Sequence, residues 1–149
     1  MERTRVAGII FMDGGIALMH RVGVLKRKDI QEYYTFPGGG LEEGETLEEG
    51  TIREIKEEFG IEVKVVKKLY EMESEKFNQK EYFFLCEYVS GKFGTGEGPE
   101  FSNNPKYVDS GKYLPEIIKV EDIKNIPLLP PEIKEKLVDD IEKGIFEFK

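Results

Sequence analysis

The sequence is poor in the residue types that build disulfide frameworks and soft-metal sites. It has one cysteine, Cys86, which cannot form an intramolecular disulfide, so a stapled secreted scaffold is excluded. It also has one histidine, His20, which leaves no material for a zinc site or a Ser-His-Asp triad. Cys86 lies within an apolar run, and we expect it to be a small buried side chain and not a nucleophile.

Long hydrophobic runs are absent as well. The most apolar stretches, around Val6–Met12 and Tyr82–Cys86, are far shorter than the roughly 20 residues that span a bilayer. Arg3 and Arg5 precede the first stretch as in a signal peptide, but Asp13 interrupts it and no cleavage site follows. We therefore expect a soluble, cytoplasmic protein with no membrane partner.

Basic residues are outnumbered. The chain has 22 Lys and Arg against 30 Asp and Glu, which gives a net charge of -8. This balance disfavours nonspecific binding to nucleic acid. With 149 residues, 39% of them hydrophobic, the chain can form a core, and we predict a single domain over residues 1–149.

Hydrophobic periodicity and turn residues predict alternating strands and helices. We predict two helices, Thr46–Phe59 and Pro130–Lys143; the second buries Ile133, Leu137 and Ile141. Thr46 and Glu49 have capping-box spacing, and Gly60 stands where a left-handed cap is favoured.

We expect loops at 23–32 and 90–112, and a break in both helix and strand at Pro37–Gly40. The predicted strands are Thr4–Met12, Ile16–Val22, Tyr33–Phe36, Glu62–Met72, Glu81–Val89 (buried on both faces) and Glu116–Val120.

The acidic residues are concentrated in one segment. Residues 42–58 carry a net charge of -6, and the rest of the chain only -2. On the first predicted helix, Glu54, Glu57 and Glu58 have i, i+3, i+4 spacing and share one exposed face, while Ile52, Ile55 and Phe59 face the core. A solvated helix face would explain such a run. A hard divalent cation explains it too, because Mg²⁺ prefers carboxylates, water and substrate phosphates.

Residues 39–61 resemble the signature of the Nudix hydrolase family. They match Gly-x5-Glu-x7-Arg-Glu-U-x-Glu-Glu-x-Gly-U, where U is aliphatic, at every fixed position, and Phe36-Pro37-Gly38 resembles the sequence that precedes it in the family. The resemblance implies an α/β fold, namely the family's α/β/α sandwich with a mixed β-sheet. It also implies cleavage of a phosphoanhydride bond in a nucleoside diphosphate linked to another group, with Mg²⁺ or Mn²⁺ as cofactor.

The resemblance further implies roles for individual residues. Glu57 and Glu58 would bind the metal, Glu54 would be a ligand or the base that activates water, and the Gly39 carbonyl would complete part of the coordination. Arg53 would pair with Glu45 and fix the loop against the helix, which Gly60 ends. Family members often recruit another acidic residue, for which Glu97 and Glu100 are candidates; the alternative, which the sequence favours slightly, is that both are solvated loop residues.

The substrate is less constrained. Arg21, Arg27 and Lys28 are candidate phosphate contacts, and Tyr34 is a candidate base contact; surface solubility and core packing are the alternatives. The family's tyrosine and proline markers for dinucleoside polyphosphates and ADP-ribose are missing around residues 76–79. Elimination favours a nucleoside triphosphate, normal or oxidised, as the small-molecule partner.

Two other functions and a dimeric state are compatible with the sequence. A catalytically silent nucleotide-sensing or protein-binding module would share the fold, but such modules usually lose motif carboxylates. An isoprenoid diphosphate isomerase would need a cysteine in a loop near the site. A homodimer, common in the family, is compatible with the sequence.

Overall fold

The computed structural model describes residues 3–23, 32–75, 77–98 and 111–146. These residues divide between two compact units, one formed by Met1–Ile10 with Pro37–Gly96 and the other by Phe11–Phe36 with Glu97–Lys149. The prediction of a single domain over 1–149 stays a prediction. In chain order the elements are β1 (Arg3–Met12), β2 (Gly15–Val22), β3 (Glu32–Thr35), β4 (Gly38–Gly40), α1 (Leu47–Phe59), β5 (Glu62–Ser74), β6 (Gln79–Ser90), β7 (Lys112–Lys119), a 3₁₀ helix (Val120–Asn125), β8 (Leu128–Leu129) and α2 (Pro131–Glu142).

The first unit is a mixed sheet covered by α1. Its central strand β1 pairs in parallel with β6 and antiparallel with β4, and β5 and β6 form an antiparallel hairpin. Val6, Gly8 and Ile10 are buried in β1. An added Cβ at Gly8 would lie 2.5 Å from Cδ1 of Ile55, so α1 packs directly on the backbone of this strand.

Two sequence predictions about this unit are wrong. The glycines after Pro37 do not break the ladder: Gly38–Gly40 is β4, and an added Cβ at Gly38 would lie 2.2 Å from the Val6 carbonyl oxygen. Glycine here permits close strand approach instead of ending the strand. β6 is also not buried along its length. Phe83, Phe84 and Cys86 are buried, but residues 87–90 are exposed because the strand extends beyond the core.

The second unit is built on β2. This strand pairs antiparallel with β3 and β7, and β3 pairs in parallel with the short β8. The last residues of β1 reach β2 through a tight turn in which Asp13 and Gly14 have φ values of 51° and 77°. Asp-Gly is a sequence that favours a tight connection between strands, and here it joins the strands predicted at Thr4–Met12 and Ile16–Val22.

The C-terminal helix α2 begins at Pro131 and buries Ile133 and Leu137 completely, as predicted, whereas Ile141 is only half-buried. The strand predicted from residue 116 begins earlier, at Lys112, and residue 120 belongs to the 3₁₀ helix. Most of the loop predicted at 23–32, and residues 99–110 of the loop predicted at 90–112, lie outside the described residues. Among the helices that the structure describes, none is long and apolar enough to cross a membrane.

Candidate active site

The helix that carries the acidic motif is fixed at both ends by its own sequence. The Thr46 side chain accepts a hydrogen bond from the Glu49 N–H at 3.1 Å, and a Glu49 carboxylate oxygen accepts one from the Thr46 N–H at 2.9 Å. At the other end Gly60 has a left-handed φ of 75° and donates its N–H to the Lys56 carbonyl. Both predicted caps are confirmed, and they set the two ends of α1.

One face of α1 belongs to the core. Ile55 and Phe59 are fully buried, as predicted, and Thr51 is buried with its hydroxyl donating to the Leu47 carbonyl at 2.8 Å. Ile52 is only half-buried. The burial of this face sets the rotation of the helix and so the direction of its carboxylates.

The acidic face is less open than the sequence predicted. Glu58 is 8% exposed, and its Oε2 accepts a hydrogen bond from the Gly38 N–H at 2.7 Å. The side chain of Glu54 is 14% exposed and that of Glu57 is 36% exposed. The expectation of a fully exposed face is therefore wrong for Glu58, because β4 lies against this side of the helix.

Gly39 brings backbone against the Glu54 carboxylate. An added Cβ at Gly39 would lie 2.6 Å from Oε1 of Glu54, so a larger residue here would have to move the end of the Glu54 side chain. This close approach places main-chain atoms of β4 beside one of the three carboxylates. Coordination of a metal by the Gly39 carbonyl stays a prediction.

Arg53 connects the glycine strand, the loop and the helix. Its Nε donates to Glu45 Oε2 at 2.6 Å, and its Nη2 donates to Glu45 Oε1 at 3.0 Å and to the Gly40 carbonyl at 3.1 Å. The predicted pairing of Arg53 with Glu45 is confirmed. The hydrogen bond to Arg53 holds the pKa of Glu45 below its ordinary value, and the same bond raises the pKa of Arg53.

The third nitrogen of the guanidinium faces the helix carboxylates. Nη1 of Arg53 lies 3.0 Å from Glu54 Oε1, 3.3 Å from Glu57 Oε2 and 3.5 Å from Glu42 Oε1. Within the described part of the chain, no group of three or more His, Cys, Asp or Glu side chains is arranged to hold a metal ion. The chemistry of these groups is nevertheless suited to a hard cation, because all the donors are oxygens. They are the carboxylates of α1 and the backbone at Gly39, where an added Cβ would crowd the Glu54 carboxylate.

Sequence reasoning missed the two backbone groups that hold these side chains, the Gly38 N–H and the Gly40 carbonyl. It also missed the packing of Gly96 on the end of α1, where an added Cβ would lie 2.4 Å from the Glu57 and Glu58 carbonyl oxygens. The sequence does contain a signal for these contacts, namely the glycines that flank the charged motif, because glycine permits close backbone contact.

The other candidate residues lie in the second unit or outside the described residues. Arg21 stacks over the Tyr113 ring with its Cζ 3.7 Å from the centroid. Tyr34 stacks on His20 with ring centroids 4.2 Å apart, and burial, followed by the charges of Glu116 and Glu32, raises the pKa of Tyr34. Their roles as substrate contacts stay predictions. Glu97 is exposed, whereas Arg27, Lys28 and Glu100 lie outside the described residues.

The single cysteine is buried, as predicted. Cys86 is 3% exposed, and burial raises the pKa of its thiol to about 12. Burial and the raised pKa both disfavour the thiolate form, which is the nucleophilic one.

Comparison with known proteins identifies sequences and structures that are similar to this chain. A family model described as the NUDIX domain matches residues 1–129. The ADP-ribose pyrophosphatase of Methanocaldococcus jannaschii is 45% identical over 60 residues, which are 40% of this chain and 33% of that protein. The matched stretch thus spans about a third of the length of that curated relative.

Solved structures share the fold at low identity. An ADP-ribose pyrophosphatase from Streptococcus suis aligns with a TM-score of 0.66 and 17% identity, covering 100% of this chain and 97% of the other. A NUDIX hydrolase from Nitrosomonas europaea aligns with a TM-score of 0.70 and 17% identity, covering 99% and 76%. The predicted α/β fold with a mixed sheet is confirmed.

Proposed function

Since the chain belongs to the NUDIX domain family, we propose that it hydrolyses a phosphoanhydride bond in a nucleoside diphosphate linked to another group. The observation that carries this proposal is the position of Glu58. It is buried and fixed to the β4 backbone by a 2.7 Å hydrogen bond, beside Glu54 and Glu57 on the same helix. Burial of a carboxylate within an acidic cluster costs stability and is typical of a functional site.

A divalent cation, Mg²⁺ or Mn²⁺, is the cofactor in this proposal. Glu57 and Glu58 would hold it together with Glu54 and the Gly39 carbonyl, and Glu97 or Glu100 would be the acidic residue recruited from outside the motif. When bound, such a cation neutralises phosphate oxygens and lowers the pKa of a bound water. Glu54 would take a proton from the attacking water if it is not itself a ligand.

Arg53 has a structural role in this scheme. Its bidentate pair with Glu45 and its bond to the Gly40 carbonyl fix the glycine strand relative to α1. The alignment of Gly39 with Glu54 depends on this connection, so loss of Arg53 would move ligands without removing one.

Two substrate classes are candidates. The names of two relatives, both ADP-ribose pyrophosphatases, favour ADP-ribose. The absence of the ADP-ribose proline marker near residues 76–79 favours a nucleoside triphosphate, normal or oxidised. In either case Arg21 and Arg27 are candidate phosphate contacts and Tyr34 is a candidate base contact.

The other fold-sharing functions have less support. A silent sensing module would not need the complete set of Glu54, Glu57 and Glu58. An isoprenoid diphosphate isomerase would need an accessible cysteine, and Cys86 is buried with a raised pKa.

The test is hydrolysis of a substrate panel with Mg²⁺ and with Mn²⁺. The panel contains deoxynucleoside triphosphates, 8-oxo-dGTP, ADP-ribose, dinucleoside polyphosphates and nucleotide sugars. We expect Glu58→Gln to lower kcat at least about 100-fold on the cleaved substrate. Glu48→Gln, a matched change at an exposed position of the same helix, should retain activity. If the cation binds and no compound is cleaved, the hydrolase proposal is wrong and the sensing module is favoured.

A further inference from the structure

A shallow groove lies between α2 and the 3₁₀ helix of the second unit. It has two hollows, of about 360 and about 110 Å³, and three residues line both of them: Lys124, Val138 and Glu142. The aliphatic side chains of Val120, Val138 and Ile141 line the smaller hollow and are only half-buried. The groove thus combines an apolar floor with charged edges, which suits the packing of a further helix.

Three residues of α2 form one row along this groove. Lys134, Val138 and Glu142 are spaced four residues apart, so they lie one above another on the same side of the helix, and all three line the larger hollow. The row is symmetric in position about Val138 and opposite in charge at its two ends. A second copy of the row in the reverse direction therefore places lysine beside glutamate at both ends, with valine against valine between them.

The charges of this row oppose the dipole of their own helix. Lys134 is the fourth residue of α2, near the end where the dipole favours negative charge, and Glu142 is the last residue, where the dipole favours positive charge. Glu132 is placed as the dipole favours, but it does not line the groove. Stability of the single helix therefore does not explain the row. An antiparallel neighbour does, because it brings a positive helix end and Lys134 beside Glu142.

Both charged ends of the row can accept a partner. The Lys134 ammonium donates to the Ile126 carbonyl at 2.7 Å, which holds it at the groove and leaves two further N–H groups for a carboxylate. Glu142 is exposed and forms no ion pair within the described residues. Lys143, the next residue, pairs with Asp139 at 2.8 Å instead.

We propose that this groove is the contact surface between two copies of the chain, whose α2 helices pack antiparallel about a twofold axis at Val138. Each interface then contains two Lys134–Glu142 ion pairs, one from each copy, around an apolar centre. A twofold interface uses the same patch on both copies, so the patch must be complementary to itself, as this row is. No residue of the proposed metal site takes part, so failure of this inference would leave the proposed function untouched.

The first test is the oligomeric state of the full chain, measured by sedimentation equilibrium. The surface of one helix pair is at the small end of specific interfaces, so we expect a monomer–dimer equilibrium with a Kd of about 1–100 μM. A chain that stays monomeric at concentrations up to about 1 mM would overturn the inference.

The second test reverses the charges of the row. Lys134→Glu places glutamate against glutamate at both ends, and Glu142→Lys places lysine against lysine, so each variant alone should raise the Kd of its own dimer at least about tenfold. A mixture of the two variants has opposite charges at both ends again, and we expect it to associate with a Kd close to that of wild type. Both variants remain net negative, so the mixture has no general electrostatic attraction.

Lys136→Glu is the matched control, because Lys136 is exposed on the same helix but lines neither hollow. Its dimer should have the Kd of wild type. Self-association of Glu142→Lys at the wild-type Kd, or a mixture that does not associate although both variants fold, would overturn the inference. Thermal midpoints show whether the variants fold, and if Lys134→Glu does not, the self-association of Glu142→Lys decides.

Discussion

At the scale of single residues, Glu58 combines burial with a proposed chemical role. A buried carboxylate loses hydration, which only strong hydrogen bonds or charges compensate. Here the Gly38 N–H provides a charge-assisted bond at 2.7 Å. The same residue therefore joins β4 to α1 and places a carboxylate oxygen at the proposed metal site.

The two contributions of Glu58 can be separated by substitution. Glu58→Gln keeps an oxygen that accepts from the Gly38 N–H, so we expect its free energy of unfolding to lie within about 1 kcal/mol of wild type. Glu58→Ala leaves this N–H without its acceptor, and we expect a loss of about 1–3 kcal/mol. Urea denaturation measures both values. Equal stability of the two variants would contradict the structural role of this bond.

Glu45 predicts a pH dependence of stability. The hydrogen bond from Arg53 holds its pKa below the ordinary value of about 4.5. A carboxyl group whose pKa is lower in the folded chain contributes stability above its unfolded pKa, and this contribution is lost as the pH falls through the folded value. We expect Glu45→Gln to be less stable than wild type at neutral pH, with a difference that shrinks below a pH of about 4.5. Denaturation at several pH values tests this, and a difference that grows on acidification would contradict it.

At the scale of elements, the sequence predicted the features that neighbouring residues specify and missed those that tertiary contacts specify. The caps of α1 and the turn at Asp13 are local, and side-chain or backbone chemistry within a few residues specifies them. β4 is different, because three glycines have no side-chain alternation to read. Its pairing is decided by the register with β1, where Val6 lies opposite Gly39.

The same limit applies to the candidate site. Spacing on α1 predicted that Glu54, Glu57 and Glu58 share a face, because helix geometry is local. It did not predict that Glu58 is buried, since this depends on β4, which approaches through tertiary contacts. The strand predicted at 116–120 also missed residues 112–115, because a proline is unfavourable within a strand and Pro115 interrupts the pattern. In the structure Pro115 lies opposite Met19 in the pairing of β2 with β7, which the sequence does not reveal.

The segment after β6 closes the C-terminal end of α1. The N–H groups of Gly94 and Thr95 donate to the Phe59 carbonyl at 2.9 and 3.2 Å, and the Phe93 ring packs on the Phe59 ring with centroids 4.8 Å apart. Carbonyls at the end of a helix lack intrahelical partners, so this segment satisfies groups that the helix leaves open. It thereby fixes the turn that carries two of the proposed ligands.

Gly96 is the residue at which this packing is tightest. A methyl group there would lie 2.4 Å from the carbonyl oxygens of Glu57 and Glu58. We expect Gly96→Ala to lower the free energy of unfolding by about 1–3 kcal/mol, because backbone must shift to accept the added volume. The matched control is Gly40→Ala, whose methyl would meet nothing within 4 Å. Chemical denaturation compares them, and equal stability would show that the segment does not constrain the helix.

At the scale of the whole molecule, the charge is strongly asymmetric along the chain. Residues 42–58 hold a net charge of -6 of the total of -8. An anionic substrate approaching this segment meets an unfavourable field. A bound divalent cation reduces that field at the position of the phosphates. The proposed chemistry is therefore compatible with the acidic composition only when the metal is bound.

The same net charge predicts how the chain behaves toward nucleic acid. Nonspecific binding requires Lys and Arg side chains that neutralise successive phosphates, and proteins that do this bind with Kd values of about 10⁻⁴ to 10⁻⁶ M. With 30 acidic against 22 basic residues, we expect no saturable binding of labelled duplex DNA by fluorescence anisotropy, with EDTA present to prevent bridging by cations. A saturable curve in that range that weakens as salt rises would contradict this, because it would require a basic surface that outweighs the field of the whole chain.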